Sequence, residues 1–345
     1  MAMTRALLVT GGGGVGKTTV SAALAVRAAR LGIRTLVVTV DPARRLADAL
    51  GVEDLGSEPT PHPTEPNLWA AMLDATSSWA AIAHRHADPA VADRLVNNAF
   101  FAAATTHFPA SQSYAAAEEA ATFLDARAWE LVVVDTPPSA GGIEFFTAPA
   151  AMTDLVGGRL LKWVTGAFLP GRNFLFDRAT RPALRLADQI LGSSLLEAIA
   201  QFLMDLRTTY DGISGRSRQI EEHLRRATTI VVTTADPTPI REAVKFFREL
   251  PEIASRPAAV IFNRTLPEEW IDARPGRVDQ VLADNLRRWG DESRRQRDLR
   301  TEFASRYRAG LSQIPWQPEA PTDLDSLDAL IDASAGFDLE ELLRR

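Results

Sequence analysis

The stretch LLVTGGGGVGKTTVSAAL, residues 7–24, sets an apolar run against four consecutive glycines and then against small and apolar residues at helical spacing. Residues 5–10 (RALLVT) read as a strand buried on both faces, because apolar residues follow one another without the alternation of a half-exposed strand. Residues 17–31 (KTTVSAALAVRAARL) read as a helix that Gly32 stops, and residues 34–40 (RTLVVTV) as a second strand. A strand, a glycine loop, a helix and a further strand open a parallel α/β sheet flanked by helices.

Gly11, four residues, Gly16, Lys17 and Thr18 fit the spacing G-x-x-x-x-G-K-[ST]. Glycines let the chain wrap closely and aim successive N–H groups at phosphate oxygens, and the helix beginning at Lys17 adds the positive end of its dipole. The expected cradle is Gly11, Gly12, Gly13, Gly14, Val15, Gly16, Lys17, Thr18 and Thr19. Within it Lys17 bridges the outer phosphates and the Thr18 hydroxyl ligates Mg2+. WELVVVDTPPS (129–139) reads as another buried strand, ended by two prolines. Its Asp135 is expected to hold Mg2+ through a water, a buried carboxylate compensated by the metal. Asp41 opens DPARRLADAL directly after the second strand, at the sheet edge where open α/β folds bind ligands. A helix N-cap ahead of Pro42 accounts for the same residue, and the two roles are compatible.

Farther along, residues 56–66 read as loop, 67–73 as a strand, 228–234 and 256–263 as strands around a helix at 239–250, and 310–316 as a short last strand. Residues 277–309 read as an arginine-rich helix, and two acidic helical turns follow. The pattern predicts one domain over residues 1–345, a P-loop sheet with a helical subdomain of approximately 75–127 and 143–226 inserted between its strands. The net charge of −6 argues against a nucleic-acid partner. With no cysteine, disulfides, thiolate zinc and thiol-bound metalloid are excluded. No apolar run approaches the roughly 20 residues of a spanning helix, and the start MAMTRALLVTGG is too soon glycine-rich for a signal peptide, so the expected location is cytoplasmic. His84 and His86 form the one close histidine pair; their spacing shares no helix face, and they are assigned to the surface.

Taken in order, GGGGVGKTT (11–19), DPARRLADAL (41–50), DTPPSAGGIEFF (135–146) and VIFNRTLPE (260–268) make the whole chain resemble the ArsA family of ATPases. That family includes the ATPase of the arsenite-efflux pump and the factors that deliver tail-anchored membrane proteins. The resemblance implies a deviant P-loop fold, with MinD and ParA as cousins, that binds ATP and ADP with Mg2+ and hydrolyses ATP. It implies a homodimer closing face to face on the nucleotide, and a helical region that couples to a client protein helix or a membrane transporter subunit. Asp41 is then the residue that orients the attacking water, and the segment after Asp135 a second switch. Asn263 is implied to recognise adenine, with Pro315 and Trp316 covering the base; an asparagine amide offers both a donor and an acceptor to an adenine edge.

One position departs from the family. Its loop reads G-K-G-G-x-G-K-T, and the first lysine reaches the partner's phosphates; here Gly12 stands in that place. Slow hydrolysis, substitution by Arg44 or Arg45, or a charge supplied by a partner would each account for the difference. The arginines are preferred, because guanidinium binds phosphate well. Two other functions stay open: a nucleotide-locked scaffold with negligible turnover, which Gly12 favours, and a MinD- or ParA-like positioning ATPase, which the short acidic end DLEELLRR disfavours. Helices carrying Phe168, Phe174, Phe176, Phe202 and Met204 pack in part as core and form a candidate groove for a client helix. The run 285–308 reads as a solvated helix face with i,i+4 pairing such as Asp291 with Arg295.

Overall fold

A computed structural model describes residues 4–40, 44–98, 101, 105, 109–137, 140–157, 201, 202, 204, 205, 210–274, 276 and 279–344. Among them, eight strands form one sheet: β1 (Arg5–Gly11), β2 (Thr35–Thr39), β3 (Thr60–Pro61), β4 (Leu68–Met72), β5 (Leu131–Asp135), β6 (Thr228–Thr233), β7 (Ala259–Thr265) and β8 (Gly310–Pro315). Their spatial order is β3-β4-β2-β5-β1-β6-β7-β8. All neighbours pair in parallel except β3 with β4. The described helices are α1 (Lys17–Arg30), α2 (Arg45–Leu50), α3 (Ala75–His86), α4 (Pro89–Val96), α5 (Pro109–Ala126), α6 (Ala140–Gly157), α7 (Tyr210–Arg226), α8 (Pro237–Ile253), α9 (Gln280–Arg306), α10 (Leu324–Asp332) and α11 (Leu339–Arg344). None of them is long and apolar enough to cross a membrane.

β3 corrects the assignment of residues 56–66 to loop. Thr60 and Pro61 pair with Ala70 and Trp69 at the outer edge of the sheet, where a proline costs no ladder bond on its solvent side.

The chain divides into two compact units. One comprises Met1–Leu73, Phe123–Ile143 and Leu224–Arg345 and carries the sheet; the other comprises Asp74–Thr122 and Glu144–His223, and its described elements are helices.

In the sheet unit the two-residue period of the strands divides the core. Leu7 and Val9 of β1, Val37 of β2, Leu131 and Val133 of β5, Ile230 and Val232 of β6 and Ile261 of β7 join the apolar cluster that contains α1 and α10. Aromatic residues collect elsewhere in this unit: Phe303 of α9 meets Phe247 of α8 edge-on at 5.3 Å and Phe262 of β7 at 5.7 Å. The alanines of α1 leave few protruding side chains, and the helix is buried along most of its length between the strands and α10. It stops as the sequence predicts. Gly32, at φ +82°, donates to Ala29 O, and Ile33 N reaches back to Ala28 O, the paired bonds of a glycine-terminated helix end. Outside, Arg27 Nε pairs with Asp328 at 2.6 Å and Arg30 Nη1 with the same carboxylate at 2.8 Å, so charge as well as packing ties α10 to α1.

In the helical unit, Trp79 of α3 stacks on Tyr114 of α5 with ring centroids 5.5 Å apart. The fully buried Glu118 carboxylate accepts from Arg85 Nη1 at 2.5 Å and from Arg216 Nε at 2.7 Å, and His86 Nε2 lies 3.5 Å away. His86 is therefore no surface residue, which corrects the sequence assignment; His84 is exposed. Burial would raise the Glu118 carboxyl, but the hydrogen bond from His86 and the Arg216 and Arg85 guanidinium groups outweigh it and hold the pKa at about 2. Phe202 is buried, 6.3 Å from Phe101, and Met204 is exposed; Phe168, Phe174 and Phe176 lie outside the described residues.

Candidate phosphate-loop site

β1 is the central strand from which the site is built. β5 lies on one side of it and β6 on the other, and β1 and β2 are separated by β5. The connection from β1 therefore leaves in one direction and that of β6 in the other, the arrangement that opens a crevice at the carboxyl edge of a parallel sheet. The loop from Gly11 to Gly16 sits at that edge.

Gly11 and Gly16 show why the loop needs glycine. Gly11 has φ +149°, and a Cβ there would stand 2.0 Å from the carbonyl oxygen of Val232 on β6, a backbone atom that cannot yield. Gly16, the residue ahead of α1, has φ +94°, and a Cβ would stand 2.3 Å from Asn263 Nδ2. Gly14 is also left-handed, at φ +73°. The side chain of Lys17, buried at the first turn of α1, folds back so that Nζ donates to Gly12 O at 2.9 Å. Val15 is buried beneath the loop, and Thr19 begins the wall of a cleft described below.

Asp135 ends β5 in register with Val9 of β1 and Thr39 of β2. It is buried, and its Oδ2 accepts from Thr18 Oγ1 at 2.7 Å and from Thr39 Oγ1 at 2.9 Å. Two hydroxyls and a carboxylate are hard oxygen donors suited to Mg2+, and a threonine that donates its proton to Asp135 keeps its oxygen lone pairs for a cation. Thr18 and Asp135 are thus brought together as the sequence pattern requires. Thr39 joins them without having been singled out, because only the β2–β5 register makes it a neighbour. Asp41 lies two residues past Thr39 and outside the described residues.

On the other side of the loop, β7 carries a bulge. Phe262 pairs with Gln313 and Thr265 with Pro315, so Asn263 and Arg264 together oppose the single Ile314. This extends β7 two residues beyond the sequence assignment. Arg264 is left-handed at φ +58°, and the bulge turns both side chains to the loop. Asn263 Nδ2 donates to Val15 O at 2.8 Å and its Oδ1 accepts from Arg264 N at 2.9 Å, which leaves one donor hydrogen and one lone pair of the amide for a ligand. Arg264 Nη1 reaches Gly14 O at 3.3 Å. A cleft of about 170 Å³ is lined by Gly16, Thr19, Asn263, Arg264, Pro315 and Trp316, among others. Trp316 N donates to Thr265 O at 2.9 Å, and the indole is half exposed over the cleft. Asn263, Pro315 and Trp316, far apart in sequence, line one wall.

Arg44, preferred from sequence as a substitute cation along with Arg45, is exposed, and its Nη2 lies 3.5 Å from Asp54 Oδ1. Among the described residues, the Arg264 guanidinium, which the sequence pattern did not single out, reaches the loop at Gly14 O.

A phosphate loop, a carboxylate at the neighbouring strand end and an asparagine-lined cleft agree with what the sequence resembles. Residues 4–280 match the profile of the anion-transporting (ArsA) ATPases. The chain belongs to this family. An uncharacterized protein of Streptomyces coelicolor is 33% identical over 279 residues, covering 77% of this chain and 63% of its own length. A protein of Chlorobaculum tepidum with the provisional name arsenical pump-driving ATPase is 25% identical over 271 residues, covering 76% of this chain and 61% of its own. The ATPase get3 of Aspergillus terreus is 24% identical over 265 residues, covering 76% of this chain and 73% of its own. The chain spans less than two thirds of the length of the first two relatives.

Proposed function

We propose that this ArsA-family chain binds ATP at the loop from Gly11 to Thr19 and hydrolyses it to ADP and phosphate. The observation that carries the proposal is the contact of Thr18 with Asp135 at the carboxyl edge of the sheet, 2.7 Å long, beside a loop in which Gly11, Gly14 and Gly16 have positive φ and whose lysine folds over it. Such a loop binds phosphate oxygens with main-chain N–H groups, and Lys17 swings from Gly12 O to the outer phosphates. Thr18 and Asp135 would hold Mg2+, which when bound would supply neutralisation of the negative charge on the phosphates. Asp41 orients the attacking water, as the family resemblance implies. Asn263 offers its remaining donor and acceptor to adenine, and Pro315 and Trp316 cover the ring.

The same family membership supports a homodimer whose helical unit responds to nucleotide and engages a client helix or a transporter subunit. Gly12 favours a second function, a nucleotide-locked scaffold, because the loop lacks the lysine expected in that place. Phosphate release from ATP, measured with and without magnesium, separates the two. The ATPase gives release that stops with chelator and falls about a hundredfold in Asp135→Ala; a scaffold binds ATP and releases no phosphate under either condition.

A further inference from the structure

Gly12 differs from Gly11, Gly14 and Gly16, whose φ angles are positive. Its backbone is open to any residue, and the obstacle to a side chain is Glu242: a Cβ on Gly12 would lie 2.1 Å from Glu242 Oε2. The carboxylate therefore lies against the phosphate loop, at the same residue whose carbonyl receives the Lys17 ammonium at 2.9 Å. Glu242 stands on the second turn of α8, which is anchored in the sheet unit by Ala243, Phe246, Phe247 and Leu250. Among the described residues it makes no hydrogen bond or ion pair. The nearby cations of its own helix are engaged elsewhere: Arg241 donates to Thr238 Oγ1 at 2.8 Å and Lys245 lies 4.0 Å from Glu249.

We infer that Glu242 sets the balance between nucleoside diphosphate and triphosphate at this loop, disfavouring the triphosphate; the inference rests on the nucleotide function proposed above. The Lys17 ammonium marks the end of the loop that faces the outer phosphates, and a half-buried carboxylate without a counter-ion is held at that same end. A third phosphate brings further negative charge towards it, and Coulomb repulsion at short range in a partly desolvated site is steep. A diphosphate stops short and feels less of it. Glu242 is a positioning residue in this account: it acts on where charge can be accommodated and takes no part in bond breaking.

The test is equilibrium binding of ADP and of a non-hydrolysable ATP analogue, each with Mg2+, to the full chain and to Glu242→Gln and Gly12→Ala. Removing the charge is expected to tighten the analogue about tenfold and to change ADP by less than about twofold. Gly12→Ala displaces the carboxylate without adding a charge, so the ratio of the two affinities moves the same way. Combining the two substitutions adds little to either, because both remove one interaction. The inference is overturned if ADP and the analogue shift in parallel, or if the ratio does not move. Should Glu242→Gln fail to fold, the ratio in Gly12→Ala decides. Failure of the wild-type chain to bind either nucleotide defeats the proposed function itself, whereas binding of both with an unmoved ratio defeats only the role of Glu242.

Discussion

A single carboxylate gathers the chemistry of the site. Asp135 receives two threonine hydroxyls from two different elements, α1 and β2. Thr39→Val keeps the shape of the strand end but removes one of these donors. It is expected to weaken magnesium-dependent turnover about tenfold while leaving magnesium-free ADP affinity within about twofold, as read by phosphate release and by calorimetry. The loop was legible in sequence because phosphate binding demands particular residue types at fixed spacing, and Asp135 because an apolar strand ending in an acid is rare without a reason. Thr39, Arg264 and Glu242 were not legible. A threonine at a strand end, an arginine after an asparagine and a glutamate on a helix are ordinary letters. They acquire meaning through strand register, a bulge and the packing of α8.

At the scale of elements, caps and edges decide how firmly the site is held. α10 begins with a capping box in which Asp323 accepts from Ser326 N at 2.8 Å and Ser326 returns a bond to Asp323 N. Asp323→Ala removes this cap and is expected to lower the denaturant midpoint of unfolding. Its effect reaches α1, because α10 carries the carboxylates that pair with Arg27 and Arg30. The β1–α1–β2 unit was readable from periodicity and from Gly32. The two-residue β3 was not, since its pairing with β4 is tertiary and its own composition is that of a loop. The bulge in β7 was equally hidden, because two residues against one is a property of the pair of strands. On α9 the sequence pointed to Asp291 with Arg295; the rotamers instead close i,i+3 pairs, Arg294 with Asp291 at 2.9 Å and Arg295 with Glu292 at 2.5 Å. Such helix-surface pairs contribute little, about 0.2–0.5 kcal/mol each.

For the molecule as a whole, the two units call for different probes. In the helical unit Glu118 is fully buried among Arg85, Arg216 and His86. Glu118→Gln leaves the guanidinium groups without their anion and is expected to destabilise this unit by about 3 kcal/mol in thermal unfolding. Because the folded pKa, about 2, lies below the ordinary 4.5, the ionised carboxylate stabilises the fold above pH 4.5. That contribution is lost as pH falls from 4.5 towards 2, and the unfolding midpoint of Glu118→Gln is expected to lose less over the same window. In the sheet unit the central claim is that the loop after β1 grips a nucleotide through Lys17, and calorimetric titration of Mg-ADP into the wild-type chain and into Lys17→Ala addresses it most directly. Saturable binding by the wild type, weakened about a hundredfold or more in the variant, is the predicted result; no binding by the wild type at millimolar nucleotide, or equal binding by both proteins, would contradict it.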